Sequence, residues 1–232
     1  MLINLDVQIM AMGIFRRLFG RTLYYPGCVP KHMLKDVQRR HEHLLTMFNI
    51  DYIKMPEMEL CCGKPALESG HKDVFKDIVR RNKEIFANQG VKTIITSCPK
   101  CYYMFKKYYD VEVKLMSELI LDNIEEIKKR YSEEVYVFDP CNPYDFEEVY
   151  SVPRQILKSL GFTVKEFMYN KGQSLCCGEP IKSNSPRVAE EMAKQRLEGV
   201  KIKVITMCPS CYGQLKQNNP NIEVLELSEV LI

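Results

Sequence analysis

The stretch "VKTIITSCPKCY", residues 91–102, is answered 110 positions later by "KVITMCPSCY", residues 203–212. In each, an apolar, β-branched run of strand length stops at a cysteine, and a proline follows at once. Proline suits the first turn of a helix, where its missing N–H is no loss. The pattern therefore predicts a strand, a tight turn and a helix. Cys98 and Cys101 then lie at i and i+3 on one helix face, near free backbone N–H groups that favour negative charge.

The chain around the first stretch alternates in the same way. "RTLYYP" (21–26) reads as a strand running into Cys28. "KHMLKDVQRRHEHLLTMFNI" (31–50) places Met33, Val37, Leu44, Leu45 and Phe48 at helical spacing. "YIKM" (52–55) is a short strand leading toward Cys61, and "HKDVFKDIVRRNKEIFANQG" (71–90) is a helix closed by Gly90. The resulting β-α-β-α-β-α order predicts an α/β fold with a parallel sheet and helical crossovers. One βαβ unit takes about 30 residues. Cysteines at that spacing fall at the C-terminal ends of successive strands, the edge where open parallel sheets bind ligands.

All ten cysteines obey one scheme used twice: C, then CC, then CxxC. The intervening lengths are 32 and 35 residues in the first set, 34 and 30 in the second. "YPGC" (25–28) answers "FDPC" (138–141), "LCCGKP" (60–65) answers "LCCGEP" (175–180), and "VEVKLMSEL" (111–119) answers "IEVLELSEV" (222–230). Agreement in register over whole segments marks an internal duplication. The expected domains are residues 21–121 and 132–232, joined by the charged end of a helix and a linker within "DNIEEIKKRYSEE" (122–134). Residues 1–20 have no counterpart and form an N-terminal extension, in which "GIFRRLFG" (13–20) reads as a short amphipathic helix or a frayed tail.

A net charge of +3, without a long basic run, gives no argument for nucleic acid. No apolar stretch is long enough to span a bilayer, and the N-terminus lacks the layout of a signal peptide, so a cytoplasmic protein is expected. In a reducing compartment, clustered cysteines bind metal or do redox chemistry rather than form five disulfides. Gly63 and Gly178 permit a positive-φ turn that aims both members of each cysteine pair inward. Five converging thiols exceed the four that zinc or a cubane cluster takes. The spacing favours an iron–sulfur site over zinc or plain thiol chemistry.

Taken together, C–CCG–CPxC used twice and the "YYPGC" opening resemble the cysteine-rich CCG domain family. Its members include the B subunit of heterodisulfide reductase and C-terminal parts of fumarate, glycolate, lactate and glycerol-phosphate oxidoreductases. The resemblance implies non-cubane 4Fe-4S clusters, up to two per chain, with zinc an alternative in one site. Cys28, Cys61, Cys62, Cys98 and Cys101 would ligate the first; Cys141, Cys176, Cys177, Cys208 and Cys211 the second. It further implies an oxidoreductase subunit of methanogenic metabolism, active within a complex. Such a subunit reduces a small-molecule disulfide at the second-motif cluster with electrons from a ferredoxin-like or cubane-cluster partner. An electron relay without catalysis and a zinc-stabilised interaction module are the alternatives. The chain departs from the family in carrying Asn142 where many relatives have His, and in being shorter than a typical B subunit.

No catalytic residue is assigned. His41 and His43, two apart on a predicted helix, read as surface residues. His32 and His71 follow cysteine motifs and read as solvent-accessible residues near helix ends. Lys64 and Glu179 occupy matching positions after CCG with opposite charge, which reads either as a means of tuning two clusters differently or as solvated loop residues. The aromatic run Tyr102, Tyr103, Phe105, Tyr108 and Tyr109 reads as core and cover for the site. GxGxxG and GxxxxGK[ST] loops are missing, so electrons are expected from another protein.

Overall fold

A computed structural model describes residues 20–55, 61–141 and 145–232. The first copy holds β1 (Arg21–Tyr25), α1 (Cys28–His32), α2 (Lys35–Met47), α3 (Lys64–Glu68), α4 (Lys72–Asn88), β2 (Val91–Thr96), α5 (Pro99–Tyr108), β3 (Glu112–Leu115) and α6 (Met116–Asp122). The second holds β4 (Glu134–Val137), α7 (Glu148–Ser159), β5 (Thr163–Glu166), α8 (Pro186–Arg196), β6 (Val204–Thr206), α9 (Pro209–Asn218) and β7 (Val224–Glu226). A 3₁₀ turn over Leu227–Val230 takes the place of α6.

Two parallel sheets result, β1-β2-β3 and β5-β4-β6-β7. They share one order, because Ile53 makes a parallel bridge to Leu23 on the free side of β1, where β5 lies beside β4. The α/β class with duplicated, parallel units is as the alternating pattern predicts. Each copy adds one strand to that pattern. β3 and β7 bury only two residues each, too few for a periodic signal. Nearly all of the N-terminal extension, including "GIFRRLFG" up to Phe19, lies outside the described residues, as does Asn142.

The apolar crossovers account for the packing. In α2, Val37, Leu44 and Leu45 are buried, whereas Met33 is 70% exposed because it falls between α1 and α2 and not on the helix stripe. The larger core joins the copies, running from Leu23, Ile94 and Phe105 through Ile120 to Val135, Ile156 and Leu227. Across this junction the Tyr102 hydroxyl donates to Glu148, and the Tyr102 ring meets Phe146 edge-on with centroids 5.5 Å apart. On the other side Arg40 reaches Ser228 and Glu229.

His41 corrects the surface reading. His43 is exposed, but His41 is 2% exposed. Its Nδ1 lies 2.6 Å from the Ser97 hydroxyl, which also bonds the Tyr24 hydroxyl. Its Nε2 lies 3.3 Å from Oε1 of Glu226 in the other copy. The periodicity of α2 carries no sign of a carboxylate 185 residues away (226 − 41).

Arg154 stands thirteen residues after Cys141, as His41 stands thirteen after Cys28. Its guanidinium donates to both oxygens of buried Asp139, at 2.9 and 2.7 Å, and to both of Glu166, at 2.7 Å. The hydrogen bond from Arg154 holds Glu166 below the usual carboxylate range, against burial. Asp139 also accepts from the Lys171 N–H at 2.7 Å and, through its carbonyl, from Ser174 at 2.9 Å, tying down the loop that follows β5. Removing one partner of such a buried pair leaves an uncompensated charge. Arg154→Met is expected to cost about 3 kcal/mol in urea unfolding, and adding Asp139→Asn to recover part of it.

Candidate metal centre

Three chain segments meet at the C-terminal edge of each sheet. After β1, Gly27 adopts φ 89° and lets the chain pass the CPKC turn; a Cβ there would stand 2.9 Å from Cys98 Cβ. After β2, Cys98 caps α5 in extended conformation, Pro99 opens the helix, and the Cys98 N–H is held 3.3 Å from the Thr96 hydroxyl. Cys208, Pro209 and Thr206 repeat this on α9 at 3.2 Å.

The cysteine pairs are held by the backbone conformation that their glycines permit. Gly63 (φ 89°, ψ −7°) and Gly178 (φ 91°, ψ −10°) are left-handed. Each donates its N–H to the sulfur two residues back, Cys61 and Cys176, at 3.4 Å. Asn82 on α4 fixes the Cys61 carbonyl at 2.8 Å, and Arg196 on α8 fixes that of Cys176 at 3.0 Å.

All ten cysteines are free thiols. Among the described residues no three Cys, His, Asp or Glu side chains close around a single point as a lone metal ion requires. The sulfurs instead follow one another in a string. Cys61 interacts with Cys28 on one side and Cys62 on the other, and Cys101 interacts with Cys62 and Cys98. Cys141, Cys176, Cys177, Cys211 and Cys208 form the same string. Hydrogen bonds from Cys28 and then Cys62 bring the Cys61 thiol down to about 2, and those from Cys141 and Cys177 do the same for Cys176. The hydrogen bond from Cys101 lowers Cys98 to about 7, against burial. Each site thus has a sulfur ready to be a thiolate, which is the ligand form.

His32 and His71 are both exposed, the first at the end of α1 and the second just before α4, as the sequence suggests. Tyr102 and Phe105 are fully buried and Tyr109 nearly so. Tyr103 and Tyr108 are half-buried at the edge of the same core. Lys64 is tied to Glu68 at 3.0 Å. Glu179 reaches across to Lys100 of the other copy at 3.3 Å.

Lys100 is a residue the sequence reading passed over. Burial opposes its charge, but Cys208, Glu179 and Cys98 outweigh this and hold its pKa above the ordinary lysine value. It also helps to lower Cys176. One ammonium therefore stands in the field of both sites. The signal was the contrast between CPKC and CPSC, with Lys100 matched by Ser210.

Residues 22–106 and 135–216 match the CCG cysteine-rich domain. The chain belongs to the CCG family. The B subunit of a CoM/CoB fumarate reductase of Methanothermobacter marburgensis is 31% identical over 91% of this CCG protein and 46% of its own length. An uncharacterized iron–sulfur protein of Methanocaldococcus jannaschii is 28% identical over 85% and 41%. The D subunit of a dihydromethanophenazine:CoB–CoM heterodisulfide reductase of Methanosarcina barkeri is 24% identical over 83% and 53%. The CCG chain spans about half the length of these relatives, or less.

The two glycines differ in what surrounds them. A Cβ on Gly178 would lie 2.6 Å from the Ala189 carbonyl oxygen, whereas one on Gly63 would lie 2.9 Å from the Phe75 ring, a side chain that can yield. Positive φ costs both variants about 1 kcal/mol. Gly178→Ala is expected to destabilise the protein more than Gly63→Ala, by at least about 1 kcal/mol in denaturant unfolding.

Proposed function

We propose that this CCG protein is the iron–sulfur subunit of a heterodisulfide-reductase-like oxidoreductase. In this reading domains 21–121 and 132–232 each hold one non-cubane four-iron cluster. Cys28, Cys61, Cys62, Cys98 and Cys101 ligate one, and Cys141, Cys176, Cys177, Cys208 and Cys211 the other. The observation that carries it is the string of five sulfurs at one strand edge, built twice by equivalent segments. Soft thiolates suit iron–sulfur groups, and a string suits a group of several irons better than a single ion. The relatives named for fumarate and heterodisulfide reductases support the redox class.

Bound clusters would supply one-electron transfer and a soft metal surface for sulfur. The protein's part is to hold them and set their surroundings. Cys61 and Cys176 are the sulfurs most readily deprotonated, and the first turns of α5 and α9 direct N–H groups at the CPxC thiolates. Tyr109, backed by Phe105, places its hydroxyl 3.4 Å from the Cys62 carbonyl beside the first site. Electrons come from a ferredoxin-like or cubane-cluster partner, and the substrate is a small disulfide. No helix among the described residues is long and apolar enough to cross a membrane.

Anaerobic reconstitution with iron and sulfide is expected to give a brown protein with about eight irons per chain. Cys61→Ser or Cys176→Ser should each remove about four. Colourless, zinc-only native protein would overturn the reading. Lys100→Met should lower the reduction potentials of both clusters by tens of millivolts, since a unit charge roughly 8–16 Å away is worth ~1–2 kcal/mol at an effective dielectric near 20. EPR-monitored redox titration measures this.

A further inference from the structure

Four polar side chains are walled in where the copies meet, behind the first cysteine set. The Glu226 carboxylate lies 3.3 Å from Nε2 of His41, Nδ1 of His41 lies 2.6 Å from the Ser97 hydroxyl, and that hydroxyl lies 3.0 Å from the Tyr24 hydroxyl. Each of the four residues is at most 2% exposed. Ser97 is the residue before Cys98, and Tyr24 lines the cavity that Cys28 and Cys61 also line. The order carboxylate, imidazole, hydroxyl is that of a hydrolytic triad, but Ser97 is closed to any substrate. What a buried pair of this kind can exchange is a proton.

The duplication supplies an internal control. Strand register sets Tyr24 against Val137 and Glu226 against Leu115, and the CPxC turns set Ser97 against Met207. Val137, Leu115 and Met207 are buried and apolar. The scaffold therefore folds without a polar side chain at any of these three positions, and a buried polar network costs desolvation that apolar residues avoid. His41 answers to Arg154, whose guanidinium keeps its charge and is engaged by Asp139 and Glu166. An imidazole–carboxylate pair thus stands behind the first cysteine set and not behind the second. The other charged groups around it are matched: Arg40 and Lys216 reach Glu229, and Glu42 pairs with Lys54. Burial holds the Tyr24 and Tyr52 phenols above their ordinary value, so both stay protonated.

The geometry points to a redox-linked proton site at the first cysteine set: the His41–Glu226 pair takes up one proton when the group held there gains one electron, and releases it on reoxidation. This deepens the proposed redox function and rests on it. Without the proton the pair carries one net negative charge; with it, imidazolium and carboxylate balance. An electron added beside Cys98 disfavours the first state, in a buried setting where charges interact strongly. The electron comes from the redox partner and the proton from solvent. An N–H bond forms on the imidazole, so the first site and its surroundings keep their net charge. The second site, backed by an arginine that does not titrate, gains the electron without a proton.

EPR-monitored redox titration of the reconstituted full-length chain, repeated over roughly pH 5–8 where imidazoles ordinarily titrate, reads both clusters. Cys61→Ser and Cys176→Ser assign the two signals. The first-site potential is expected to fall as pH rises, toward the ~59 mV per unit that a tenfold change is worth for one electron. The second-site potential should stay flat. His41→Gln should flatten the first as well. Glu226→Gln keeps the shape of the side chain but not its charge, and should move the sloping range to lower pH. Iron content and urea unfolding are measured on each variant, and either substitution alone decides the matter if the other fails to fold. A flat first-site potential, an equal slope at both sites, or a slope that neither substitution changes would each overturn the inference and leave the clusters in place. Chain that takes up no iron overturns the cluster proposal and this inference together.

Discussion

Only a parallel sheet brings the C-terminal ends of successive strands to one edge, and this constraint governs the whole molecule. Each copy needs sulfurs from three separated segments in one place. The βαβ crossover sets their spacing along the chain, and strand pairing brings them together without a long loop. The strand ends alone do not aim the sulfurs. Left-handed turns at Gly63 and Gly178 swing each cysteine pair inward, and Pro99 and Pro209 start helices whose first turn carries the CPxC sulfurs. If the sheet is kept and those turns are lost, the thiols scatter.

Much of this was legible because it follows from local rules. A β-branched run before CPxC can only be a strand entering a helix, and a glycine after paired cysteines signals positive φ. The duplication made the reading firmer, since every local inference was available twice. What the sequence hid depends on partners far apart in the chain. His41 looked like a surface residue because Glu226, Ser97 and Tyr24 surround it only once the copies dock. Lys100 drew no reading within CPKC, because its partner Glu179 belongs to the other copy. β3 and β7 were too short to announce themselves, and the strand expected at "YIKM" narrows to a single bridge at Ile53.

The docking of the copies is polar as well as apolar, and it is unequal. At corresponding positions the first copy uses His41 to hold the second, whereas the second uses Arg154 to hold itself together. Glu226 is buried, and its pKa is a contest: burial raises it, while the charge and hydrogen bond of His41 and the hydrogen bonds of Ser228 bring it below the ordinary carboxylate value. A carboxylate depressed in the folded state contributes stability at neutral pH, and that contribution fades as acid protonates it. The junction between the copies is therefore held partly by a contact that acid removes, while the larger apolar core beneath it is indifferent to pH.

Equivalent cysteine sets in unequal surroundings make two electrostatically distinct sites. The ten sulfurs form two equivalent strings, so the sulfurs alone do not distinguish the sites. The distinction lies a few ångström further out. Beside the first site, Lys31, Lys35, Arg39 and Lys54 are among the described residues that line a cavity with Cys28 and Cys61. At the second, one guanidinium, Arg154, engages two carboxylates, Asp139 and Glu166, and the loop after β5 is fastened to Asp139. Lys100 lies in the field of Cys98 on one side and Cys208 on the other, so a change of charge at either site is felt by the same ammonium. A duplicated scaffold of this kind sets its sites apart through the residues between and around them: the second is bordered by its own ion pairs, and a shared cation links the electrostatics of both.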